Sequence, residues 1–130
     1  MLCKKACEHF LKIGHGIIVN ISSRTADNGY PKDGMHYAAS KAGMKVLSKS
    51  IAVTYGSKNI LSYTISPGCV DTKMVRTIDE ATLNDLKKEI PTQQFVQPKE
   101  IAELVSLICL GKIKNATGAS FDLNGASYLR

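Results

Sequence analysis

A chain of 130 residues, 44% hydrophobic and 22% charged, has the size and composition of one globular domain with one core. Its net charge of +6 comes from scattered lysines with no interleaved aromatic residues, which argues against a nucleic-acid surface. No apolar stretch approaches the ~20 residues that cross a bilayer, and Met1 to Lys5 carries no leader pattern, so a cytoplasmic protein with reduced cysteines and no membrane partner is expected.

Residues 2–12 have helical spacing, with Leu2, Ala6, Phe10 and Ile13 recurring on one side. Cys3 and Cys7 lie four apart with His9 nearby, an incomplete ligand set, so inert thiols and no metal are expected. After Gly14 and Gly16 comes the β-branched run Ile17–Ile21, a strand suited to the middle of a parallel sheet. Residues 24–34 are dense in turn formers. A long helix is predicted from Met35 to Tyr55, with Gly56 as its stop. Ile60–Ser66 is a second strand with Leu61, Tyr63 and Ile65 on one face, ended by Pro67-Gly68. Asp79–Ile90 has a weaker helical pattern. Pro98 opens another helix, whose apolar stripe is Ile101, Leu104, Val105 and Ile108. Ala119–Leu123 is a third strand, closed by Asn124-Gly125. The alternation predicts an α/β fold with three parallel strands and flanking helices.

The chemistry concentrates at Tyr37-Ala38-Ala39-Ser40-Lys41. Residues four apart on a helix are neighbours, with Cβ atoms about 5–6 Å apart. An ammonium at about 5 Å favours a phenolate by about 3 kcal/mol at an effective dielectric near 20, which suits Tyr37 to general acid–base work. Ser22 and Ser23 follow the first strand, so their hydroxyls emerge at the strand's carboxyl end, where open α/β sheets bind ligands. The second strand runs into Ser66-Pro67-Gly68-Cys69-Val70-Asp71-Thr72. Its Pro-Gly turn suits the approach of a flat ring, and Thr72 offers a hydroxyl to a phosphate. His36 precedes Tyr37, and a solvent-facing role is expected for it.

Four ordered segments carry a resemblance: Gly16–Ser23, Tyr37–Gly43, Ser66–Thr72 and Thr117–Gly125. Together they resemble the Rossmann-type branch of the short-chain dehydrogenase/reductase family, from about Leu2 to Tyr128. The resemblance implies hydride transfer between NAD or NADP and a small carbonyl or alcohol substrate. It makes Tyr37 the catalytic acid/base and Lys41 its modulator and a ribose ligand, both counting among the cofactor-binding residues. Ser23 becomes the hydrogen-bond donor to the substrate oxygen, with Ser22 as the alternative. Pro67, Gly68 and Val70 would border the nicotinamide, and Thr72 would lie near the phosphates. Residues 73–90 match the segment that covers substrate in the family. Within the family, the wording is most similar to 3-oxoacyl-carrier-protein reductases and related bacterial alcohol dehydrogenases.

The Gly-rich phosphate loop that family members carry after their first strand has no counterpart, since Gly14-His15-Gly16 precedes a strand instead of opening a helix. Residues 1–130 therefore match the C-terminal portion of one Rossmann-type domain, a partial fold whose first strand should expose an unpaired edge. The cofactor-binding N-terminal half is expected from a complementing portion, and little activity is expected without it. A homo-oligomer is implied too, because the Tyr37 helix packs between subunits in the family and Ala39, Gly43 and Val46 give it a small-residue face. A non-catalytic dimerisation module, or the remnant of such a gene, is the alternative.

Overall fold

The computed structural model describes residues 2–29 and 34–129. The part of the expected turn that falls on residues 30–33 lies outside them. The elements run α1 (Leu2–Ile13), β1 (Gly16–Ile21), α2 (Thr25–Asn28), α3 (Met35–Tyr55), β2 (Ile60–Pro67), α4 (Glu80–Lys88), α5 (Pro98–Cys109) and β3 (Ser120–Leu123). The three strands form one parallel sheet in the order β1-β2-β3.

The register pairs Gly16 with Ile60 and Ile21 with Ile65, then Thr64 with Ser120 and Pro67 with Leu123. β2 is the central strand and is buried along its whole length. Its two faces differ in chemistry. Leu61, Tyr63 and Ile65 pack with Ile108 of α5, against which Leu104, Val105, Ile17, Val19 and Phe121 also lie. The opposite face carries small hydroxyls, and Ser62 shares a 2.8 Å hydrogen bond with Ser48 of α3. Small polar residues let the long helix sit close to the sheet, and Ser66 likewise shares a 3.1 Å hydrogen bond with Ser120 of β3. The helices thus lie on both faces, as the alternation of elements predicts. α1 lies beside α3, the two sharing a groove lined by Cys7, Ile51 and Tyr55.

The apolar run of β1 suits a central strand, yet among the described residues β1 pairs only with β2 and is mostly half-buried. The unpaired edge expected of a partial fold is present. Gly16 opens this strand because the Phe10 ring of α1 occupies the space a Cβ would need.

Local chemistry accounts for most element ends. Gln97 and Glu100 form a reciprocal cap on α5, with the Gln97 amide donating to Glu100 Oε2 at 2.6 Å and Pro98 in the first turn. Asp79 caps α4 by accepting from the Thr82 amide at 2.9 Å. α3 ends at Tyr55 with Gly56 as its C-cap, as the sequence predicts, but without a left-handed glycine. Gly56 keeps right-handed helical geometry at φ −57° and begins one turn of tighter helix. The reversal falls on Asn59 at φ 58°, because asparagine tolerates the left-handed region better than most residues. Among the described residues, no helix is long and apolar enough to cross a membrane.

Candidate active site

The carboxyl ends of β1 and β2 and the first half of α3 meet at one corner. Three bonds over long sequence separations join them. Ser22 Oγ donates to the Lys41 carbonyl at 2.9 Å. Lys41 Nζ donates to the Ile21 carbonyl at 2.9 Å. The Arg24 amide donates to the Pro67 carbonyl at 2.9 Å, tying the residue after Ser23 to the end of β2. Ser22, Ser23, Lys41 and Pro67 therefore belong to one bonded unit.

Tyr37 and Lys41 stand one turn apart on α3, as their spacing predicts. The Lys41 ammonium lies over the Tyr37 ring, 5.6 Å from its centroid, within the range of a cation–π contact. Tyr37 is 42% exposed, so its phenol is accessible to a ligand. An ammonium has three donor protons. One serves the Ile21 carbonyl, and among the described residues no other hydrogen-bond acceptor engages the ammonium, which leaves donors for a ligand hydroxyl.

The two serines separate clearly. Ser22 is turned to the α3 backbone and acts as a strut. Ser23, 9% exposed, accepts from the Thr25 amide at 3.2 Å and from the Thr25 hydroxyl at 3.0 Å. α2, which carries Thr25, is fastened to α3 by an ion pair that the sequence reading does not include. Lys45 Nζ lies 2.6 Å from both carboxylate oxygens of Asp27. Lys45 is only 5% exposed. The available signal was its place two turns beyond Tyr37, in line with Lys41, on the face turned to the fold.

Gly68 sits where β2 ends beside β3. Its amide donates to the Leu123 carbonyl at 2.9 Å. A Cβ at this position would come 3.1 Å from Cα and Cβ of Asn124. The bare Cα thus serves a close contact between strand ends. Val70 forms an isolated parallel bridge with Val96. Thr72 follows Asp71, whose carboxylate receives Arg76 Nε at 2.8 Å and a second guanidinium nitrogen at 3.2 Å. These bonds, with the positive charge, hold the Asp71 carboxyl below the usual carboxylate range. Burial pushes the Cys69 thiol up, so it stays protonated beside the turn. Burial does the same for Cys7. Among the described residues, no group of three or more His, Cys, Asp or Glu side chains is placed to hold a metal ion.

This corner offers an accessible phenol beside an ammonium, a serine hydroxyl held against α2, and free ammonium protons. Such a set can donate hydrogen bonds to an oxygen that gains charge and can move a proton to it.

A family model described as enoyl-(acyl carrier protein) reductase matches residues 1–125. An acetoacetyl-CoA reductase from Allochromatium vinosum is 31% identical over 126 residues, covering 97% of this chain and 51% of that one. A 3-oxoacyl-(acyl-carrier-protein) reductase from Pseudomonas aeruginosa is 32% identical over 128 residues, covering 98% of this chain and 51% of its own. A crystal structure of a 3-oxoacyl-(acyl-carrier protein) reductase from Brucella melitensis superposes with a TM-score of 0.89 at 26% identity, covering 95% of this chain and 46% of that one. The chain spans about half the length of the curated relatives it matches.

Proposed function

Because the chain belongs to the short-chain dehydrogenase/reductase family, we propose that it carries the proton-transfer half of an NAD(P)-dependent ketoreductase site, acting on a 3-oxoacyl thioester. The observation that supports this most is the bridging position of Lys41, whose ammonium touches the Tyr37 ring and bonds to the end of the strand that leads to Ser23.

Tyr37 is the general acid in reduction and the general base in alcohol oxidation. The Lys41 ammonium stabilises the phenolate left after Tyr37 gives up its proton. The remaining protons of Lys41 suit the ribose of the nicotinamide half. Ser23 donates to the carbonyl oxygen and strengthens that bond as charge builds there. Pro67, Gly68 and Val70 border the nicotinamide, and Thr72 lies on the side of the phosphates. When bound, the cofactor supplies or accepts the hydride. Residues 73–90 cover the substrate.

The residues present fit the nicotinamide end of the cofactor and not its pyrophosphate, because no Gly-rich strand–turn–helix occurs in the sequence. The chain acts as the C-terminal portion of one Rossmann-type domain, and the phosphate-holding portion is supplied from outside these residues. Two features favour this. Among the described residues the outer edge of β1 is unpaired, and the side-chain Nδ2 of Asn20 on that strand is buried without a partner, a cost that a covering segment would relieve. The outer face of α3, where Ala39, Gly43 and Val46 are exposed, packs against a second copy in the assembled enzyme.

Calorimetric titration of the 130-residue chain with NADH and with NADPH tests the division. Binding weaker than about 100 μM, or about −5.5 kcal/mol, is expected. Micromolar affinity for either nucleotide would overturn it.

A further inference from the structure

We infer that Thr25 is a positioning residue that fixes the direction of the Ser23 hydroxyl proton, an inference that rests on the proposed role of Ser23. A serine hydroxyl has one proton to donate and two lone pairs that accept. Thr25 engages both lone pairs, through its amide at 3.2 Å and its own hydroxyl at 3.0 Å. What remains to Ser23 Oγ is its proton, and no described residue accepts it. The hydroxyl is therefore restricted to donating outward.

The surroundings keep it so. Thr25 is 7% exposed and Ser23 9%, so water competes poorly for either oxygen. The segment is tied down on both sides of Thr25. The Arg24 amide binds the Pro67 carbonyl at the end of β2, and Asp27 is clamped by Lys45 of α3. Thr25 cannot drift away without breaking one of these bonds.

This directionality matches one ligand chemistry. A ketone oxygen can only accept, and it becomes a stronger acceptor as hydride reaches the carbon. A serine free to rotate would spend part of its time with the proton turned inward. One held by two donors is already oriented before the charge appears. The Thr25 hydroxyl also polarises Ser23, making it a stronger donor. Thr25 touches neither substrate nor cofactor and acts through Ser23 alone.

Two measurements test this. In the chain alone, NMR should show a Thr25 hydroxyl proton protected from solvent exchange with an Overhauser contact to the Ser23 β-protons, while the Ser23 hydroxyl exchanges freely. A protected Ser23 hydroxyl directed at Thr25 overturns the inference, whatever the enzyme does. In the chain completed by its phosphate-binding portion, Thr25→Val should lower kcat about tenfold, the equivalent of one hydrogen bond, with KM within about twofold of the parent. Thr25→Ser should restore the rate. In a Ser23→Ala background, Thr25→Val should cost nothing more. An equal loss with and without Ser23 would mark Thr25 as merely structural and overturn the inference. Should Thr25→Val fail to fold, Thr25→Ala against Thr25→Ser makes the same comparison. Absence of ketoreduction by the completed parent would defeat the proposed function and leave the NMR result to decide the hydroxyl direction.

Discussion

At the end of β1, polar side chains bond across long stretches of sequence. Ser22 reaches the Lys41 carbonyl, 19 residues away, Lys41 reaches back 20 to Ile21, and Lys45 reaches back 18 to Asp27. Between Asp71 and Glu100, polar side chains instead bond mainly to their sequence neighbours. Arg76 reaches back 5 residues to Asp71, and the Asp79–Thr82, Lys88–Asp85 and Gln97–Glu100 bonds each span 3. That segment is closed at its base by the Val70–Val96 bridge and by buried Ile90 and Phe95. Its polar bonds shape the loop without fastening it to the sheet. The contrast fits the two jobs proposed above. A proton-transfer corner needs distances held by the whole fold, whereas a segment that covers substrate must be able to shift without disturbing that corner.

The comparison breaks most severely at Lys45. Replacing it with Met leaves Asp27 with an uncompensated carboxylate whose side chain is only 19% exposed. Chemical denaturation should show a loss of about 3–5 kcal/mol. A loss under about 1 kcal/mol would mean that the corner does not depend on this pair. Gly68→Ala should act at the same end of the sheet with less force. The new Cβ would meet Asn124 at 3.1 Å, and a cost of about 1–3 kcal/mol is expected from overpacking. An unchanged midpoint would show that the ends of β2 and β3 yield freely.

The smallest effect belongs to the segment between Asp71 and Glu100. Arg76→Ala should leave the thermal midpoint unchanged, because the pair it breaks is exposed and local. Its signature is in titration. Arg76 lowers the Asp71 carboxyl, so whatever the pair contributes is present above the ordinary carboxylate range and is lost as pH falls through the lowered value. An NMR titration of the Asp71 carboxyl carbon should place its midpoint below about 3.9, and Arg76→Ala should raise it. A midpoint that Arg76→Ala does not move would show that the pair is not formed in solution.

Much of the fold was legible because its signals are periodic or local. Leu104, Val105 and Ile108 of the predicted stripe and the alternation Leu61, Tyr63, Ile65 mark the two halves of one contact, and the structure joins them. Pro98 announced the start of α5. The end of α3 at Tyr55 was legible too, but not the reversal beyond it, since glycine is only one of several residues that can reverse a chain and Asn59 performs the reversal here. β1 reads as a central strand because its residues are apolar, but the position of a strand depends on what pairs with it.

In the candidate site, the meeting of Lys41 with Tyr37 followed from helical spacing. The bonds of Thr25 to Ser23 and of Asp27 to Lys45 did not. α2 is only four residues long, too short to show a period. A threonine two residues after a serine carries no signal of which oxygen it will serve. A lysine on a helix is ordinarily a solvated residue, and only the placement of Asp27 makes its burial tolerable.

Replacement of Tyr37 by Phe, measured as NADPH- or NADH-dependent reduction of a 3-oxoacyl thioester by the completed protein, tests the central claim most directly. The phenol oxygen is removed while the ring against Lys41 and the bonds of Ser22, Ser23 and Lys45 are left in place. The account predicts a fall in kcat of about 10²- to 10⁴-fold with folding unchanged. Turnover within about threefold of the parent would contradict it, because the proton would then come from a group other than Tyr37.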